Sequence, residues 1–159
     1  MNSNRQLLKT QYEYIKQSRA VLLDYCAKLS DEEFSTQNSS FGRGSVSNLL
    51  THTGNTYLFW IGEICMGKNM VYLDYEYIKN MQDIYHHFST VDALLASFLN
   101  DETIYFNAIK QYTIGGVPGS APILRIITHA FTHEFHHKGQ VLSLTRHLGH
   151  IPIDTDIMR

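Results

Sequence analysis

Five of the chain's nine histidines fall between positions 129 and 147, at 129, 133, 136, 137 and 147, and that cluster is where chemistry is sought first. Each residue on a helix advances by about 100°, so His133 and His137 stand one turn apart on one side, a spacing that lets two imidazoles reach one metal ion. Ile126, Ala130, Gln140 and Leu144 share their stripe to within roughly 60°, which turns the pair toward the core. His52 shares a helical face with Leu49, Thr56, Phe59 and Trp60, so it too points inward as a third ligand from a facing helix. Three neutral histidines form the open ligand set of catalytic metal sites, with water or substrate filling the remaining positions. Such a set suits zinc, nickel, copper and iron alike. His129, one further turn back, can replace either partner or serve as a base beside the site. Gln140, about 20° from His133 on the same stripe, can orient a ligand or bound water by hydrogen bonding.

Each of these residues also has a plain structural reading. A lone histidine such as His52 is more often a hydrogen-bonded core or surface residue, an i,i+4 histidine pair recurs by chance in a histidine-rich helix, and Gln140 can be a satisfied core amide. His136 and His147 fall off the stripe and are expected in solvent; His86 and His87 receive no role. The string His133-Glu134-Phe135-His136-His137 matches HExxH, the zinc-peptidase motif in which the glutamate acts as base. Here, however, the third candidate ligand precedes the motif, Glu134 points roughly 100° away from His133, and no segment reads as the strand that would bind an extended peptide. A peptidase is therefore the lesser reading.

The elements that must position these residues are helical. Between Gln6 and Leu29 apolar residues recur at three- and four-residue steps with no glycine or proline, giving a first long helix. Ser30-Asp31-Glu32-Glu33 has the form of a capping box and starts a short turn around Phe34. Ser45 or Ser47 caps a second helix that carries His52 and ends near Met66. Residues 68–88 show no clean period and are expected as a long crossover, partly helical. A third helix is expected from Thr90 to about Tyr112, broken by Gly115-Gly116-Val117-Pro118-Gly119. Ser120 caps a fourth, with Pro122 in its first turn, running to Leu148 before Gly149 and Pro152. The expected fold is all-α, one four-helix bundle domain over 1–159 with its long crossover between helices two and three.

Composition narrows the function classes. A length of 159 residues suits one domain, and a formal charge of −2, from 13 Lys+Arg against 15 Asp+Glu, offers no general basic field for nucleic acid. The opening MNSNRQLLKTQYEYIKQ is polar and charged where a secretory signal carries an apolar run, and no stretch suits a membrane span, so a cytoplasmic location is expected. Cys26 and Cys65 form no CxxC pattern and are expected buried and unbridged.

The segment HAFTHEFHHKGQVLSLTRHLG, from His129 to Gly149, resembles the last-helix signature of the DinB/YfiT-like metalloenzymes, whose core is HxxxHxGQ with a basic residue before the glycine. SVSNLLTHTGNTYLFWIG, from Ser45 to Gly62, resembles that family's second helix, where one histidine precedes an aromatic-rich turn. The two matches come in the family's order, and helix order and length agree along the whole chain. The resemblance implies an up-down-down-up bundle, frequent homodimers, and nickel or zinc held by His52, His133 and His137. It also implies a small-molecule substrate and a low-molecular-weight thiol, as in the family's thiol transferases and isomerases. A metal-bound thiol is deprotonated and nucleophilic near neutral pH. The expected function is a thiol-dependent transferase or a hydrolase; the competing class is a non-catalytic, stress-related metal-binding bundle.

Overall fold

In the computed structural model, which describes residues 2–159, helices dominate and one small antiparallel hairpin interrupts them. Helix α1 (Asn2–Cys26) is followed by the short α2 (Asp31–Ser35), whose N-terminus is the expected capping box: the Ser30 side chain accepts from the Glu33 amide and the Glu33 side chain from that of Ser30. Helix α3 (Val46–Tyr57) starts at Ser45, whose hydroxyl accepts from the Asn48 amide. Helix α4 spans Met81–Asn100 and α5 spans Ile123–His147. The strands β1 (Ile109–Ile114) and β2 (Val117–Pro122) lie between them. Helix α3 packs on α4 and α5, and α1 packs on the same two. Between them lies one apolar cluster that includes Leu22, Leu49, Tyr57, Leu95, Ile127 and Leu144.

Past Tyr57 the chain of α3 does not stop but widens into a π-helical segment, Leu58–Cys65, beyond which the Met66 amide still reaches back to the Ile61 carbonyl at 3.0 Å. The wider winding lets Leu58, Trp60, Ile61, Gly62 and Cys65 all be buried, a local departure that recurs at functional sites. The crossover folds back over this segment so closely that a Cβ on Gly62 would lie 2.5 Å from the Met70 sulfur. No side chain larger than hydrogen fits there without moving Met70.

Three expectations are corrected. The third long helix starts at Met81 rather than Thr90, because Asn80 and Asp83 form a second capping box, so His86 and His87 belong to α4 and not to the crossover. It ends at Asn100 rather than near Tyr112, because the Asp101 carboxylate reaches forward to accept from the Thr103 amide at 2.9 Å and hydroxyl at 2.6 Å, an arrangement that competes with helix. Finally, residues 109–122 are a hairpin where no strand was expected. Ile114 pairs with Val117 across Gly115-Gly116, which hold φ of 56° and 81°, the left-handed pair that a two-residue hairpin turn demands. Ser120 therefore sits in β2 and caps nothing; Pro122 occupies the position before α5 and makes no side-chain cap bond.

Both cysteines are buried and unbridged, as expected. Among the described residues no helix is long and apolar enough to cross a membrane.

Candidate metal centre

Helices α3 and α5 face one another, and three imidazoles converge where they do. The Nε2 atoms of His52 and His133 lie 3.1 Å apart, and those of His133 and His137 lie 2.9 Å apart. One ligand nitrogen from each residue falls within 4.8 Å of the others, a set that could hold a metal ion. His137 is buried, while His52 and His133 are half-buried.

Two features make these nitrogens good donors. Gln140 accepts a hydrogen bond from His137 Nδ1 at 2.7 Å, so Nδ1 carries the proton and Nε2 is left with its lone pair. The amide nitrogen of Gln140 lies 3.2 Å from His136 Nε2, which fixes the amide's orientation. The rings are also neutral near pH 7. Burial, with the Arg43 guanidinium and the neighbouring imidazoles, lowers His52 to about 3. Burial and the surrounding histidines lower His133 to about 4, and burial lowers His137. Since imidazole binds metal through its neutral form, the donor set fits a divalent ion.

His129 stays outside the triad. Its ring centroid lies 5.2 Å from that of His133 and 5.2 Å from Trp60, against which it stands edge-on. It lines a cleft of about 360 Å³ together with His52, His133, Phe59, Trp60, Tyr72 and Ile114. His136 and His147 are exposed, as their off-stripe positions predict.

Glu134, the base of the formal HExxH motif, is 1% exposed and turned away from the histidines into the core. Its carboxylate accepts from Arg19 Nε at 3.1 Å and Nη2 at 2.9 Å, and from the Tyr57 hydroxyl at 2.7 Å; Lys138 Nζ lies at 3.3 Å. Burial works to raise its pKa, but Arg19, Lys138 and the Tyr57 hydroxyl outweigh burial and hold it below the usual glutamate value. Every lone pair is committed, so Glu134 has no free position from which to reach a water beside the histidines. The peptidase reading loses its base.

Sequence reasoning passed over several neighbours of the site. Arg43, in the loop before α3, brings Nη2 to 3.5 Å from His52 Nε2. The hairpin supplies Ile114 to the cleft and Tyr112 to Trp60, their ring centroids 5.0 Å apart. The buried Arg19–Glu134–Lys138 group was also missed, although Glu134 and Lys138 stand at i,i+4, a spacing that signals a pair.

Comparison with curated proteins found no match to this sequence. The model of the DinB family matches residues 1–159, and the chain belongs to that family.

Proposed function

We propose that this protein is a metal-dependent enzyme, a thiol-dependent transferase or a hydrolase acting on a small molecule, with nickel or zinc held by His52, His133 and His137. The observation that carries this reading is the convergence of three neutral Nε2 atoms from two facing helices beside an open cleft. When bound, the ion would supply Lewis acidity and lower the pKa of a thiol or water. The protein's own residues divide the remaining work. Gln140 keeps His137 in the tautomer that presents Nε2. His129, lowered in pKa by burial, is neutral and lines the cleft, placed to accept a proton from a nucleophile there. Phe59, Trp60 and Ile114 wall the cleft with apolar surface. The scaffold in this reading is a single domain in which α1, α3, α4 and α5 form an up-down-down-up four-helix bundle.

A cleft on the face of His52 and His133 favours catalysis over a purely structural ion, since structural sites are closed by a fourth protein ligand. The deciding experiment is metal content of untagged protein, comparing the wild type with His52→Ala and with the His133→Ala/His137→Ala double variant. About one equivalent in the wild type, absent from both variants, supports the site. Metal retained by both variants, or absent from the wild type, overturns it. Loaded protein is then assayed on electrophiles with and without low-molecular-weight thiols: thiol-dependent turnover identifies a transferase and thiol-independent turnover a hydrolase. No turnover with tightly held metal returns the non-catalytic reading.

A further inference from the structure

A cation stands beside the three histidines. Arg43 is exposed, and among the described residues its guanidinium has no carboxylate partner; its polar side-chain contact is with His52 Nε2, at 3.5 Å. Its placement is not accidental, because Asn48 in the first turn of α3 donates to the Arg43 carbonyl at 2.9 Å and ties the loop to the helix that carries His52. Among the described residues, no aspartate or glutamate lines the cleft. Glu63 stands behind the cleft wall, where its carboxylate accepts the hydroxyl of the cleft residue Tyr72 and makes no ion pair with Arg43 among the described residues. A neighbouring cavity of about 200 Å³ shares Trp60, Ile114 and His129 with the cleft, and the charged residue on its wall is another cation, Arg125.

A guanidinium within hydrogen-bond range of a ligand nitrogen would repel a divalent ion bound to that nitrogen, and among the described residues no carboxylate pairs with that guanidinium or lines the cleft. A negatively charged ligand between the two cations relieves it, and a guanidinium is well matched to a carboxylate. Beside His52, which Arg43 touches from outside the cleft, one wall is aromatic and apolar: Phe59 and Trp60 stand edge-to-face with centroids 5.0 Å apart, and the half-exposed Ile114 closes the hairpin side. Resting on the metal reading above, we propose that the site takes a small organic anion with a flat apolar body, and that Arg43 selects its negative charge while Ile114 and the Trp60 wall select the body.

The test uses full-length protein loaded with Co(II), whose visible spectrum changes when an open position is filled, titrated with benzoate, acetate and neutral imidazole. Benzoate should bind the wild type about tenfold tighter than acetate through its buried ring. Arg43→Gln should weaken benzoate and acetate alike by about tenfold, leave imidazole within about twofold, and retain Co(II), because a charge-assisted contact is lost and no ligand is. Ile114→Ala, at a half-exposed hairpin position, should narrow the preference for benzoate over acetate severalfold without touching acetate. The inference is overturned if Arg43→Gln leaves the anions unaffected or weakens imidazole equally, or if benzoate shows no advantage over acetate. Failure of the wild type to bind Co(II) at all would instead bring down the metal reading itself, and this inference with it.

Discussion

Helix α5 carries two pairs at the same i,i+4 spacing, offset by one residue, and they end in opposite environments. His133 and His137 turn to the cleft, neutral and with their Nε2 atoms gathered at one point with that of His52. Glu134 and Lys138, rotated by about 100°, turn into the core as a buried pair 3.3 Å apart, closed by Arg19, Tyr57 and Ser18. Four side chains over six positions thus serve two polar centres, one that borders the cleft and one filled by its own partners. The filled centre can set the rotation of α5, because any turn that improved one face would strip hydrogen bonds from the other.

The sharpest way to break the comparison is to remove Glu134. Glu134→Ala leaves Lys138 buried without a counter-charge and Arg19 with only Asp92, at 2.7 Å, and should cost about 3–5 kcal/mol. His133→Ala in metal-free protein, at a half-exposed neutral ring, should cost under about 1 kcal/mol, within the range of substitutions away from filled buried networks. Denaturant unfolding of both variants measures the difference; equal costs would mean that the buried ions contribute nothing special to the fold.

A smaller effect is expected from Gln140. Gln140→Ala removes the acceptor that fixes the His137 tautomer and should weaken metal binding about 10- to 100-fold, with thermal unfolding of the metal-free protein little changed. Competition with a chromophoric chelator reads the first quantity. A loss of stability equal to that of Glu134→Ala would reassign Gln140 to the core.

The subtlest expectation concerns acid. His52 and His133 are lowered to about 3 and about 4 in the folded protein, while an unfolded histidine titrates near about 6.5. The unfolded chain therefore binds more protons through this window, and the stability these rings support is present above about pH 6.5 and lost as pH falls toward 4 and 3. Glu134, also lowered, supports stability present above about 4.3, the unfolded glutamate value, and lost below it. Metal-free protein should thus weaken in two overlapping stages, the first beginning below about pH 6.5 and the second below about 4.3. Replacing His52 and His133 by glutamine should flatten the first and spare the second, as followed by urea unfolding across pH; an unchanged first stage would remove the histidines as its source.

How much of this could be read from the chain alone follows the range of the forces involved. The capping box at Ser30, Ser45 as one of two candidate caps and the shared face of His133 and His137 were legible, because caps and helical angles depend on neighbours within about one turn; that this face borders a cleft while Glu134 and Lys138 enter the core was not. The hairpin was legible in principle: Gly115-Gly116 between Ile109–Ile114 and Val117–Pro122 is a turn signal, but apolar residues Ile104 to Ile109 continued the helical spacing and masked it. The stop at Asp101 was likewise hidden in a single side-chain turn with Thr103.

Other features have no local signal. The π winding at Leu58–Cys65 trades one hydrogen-bond register for another and depends on what the segment packs against. Glu134 meets Arg19 from 115 positions away, and His52 meets His133 from 81. The amino-acid sequence by itself determined which side chains share a face, since backbone geometry sets the angle between residues a few positions apart. Only the tertiary structure decided which faces meet, because the approach of α3 to α5, and of Arg43 to His52, is settled by the packing of the whole core.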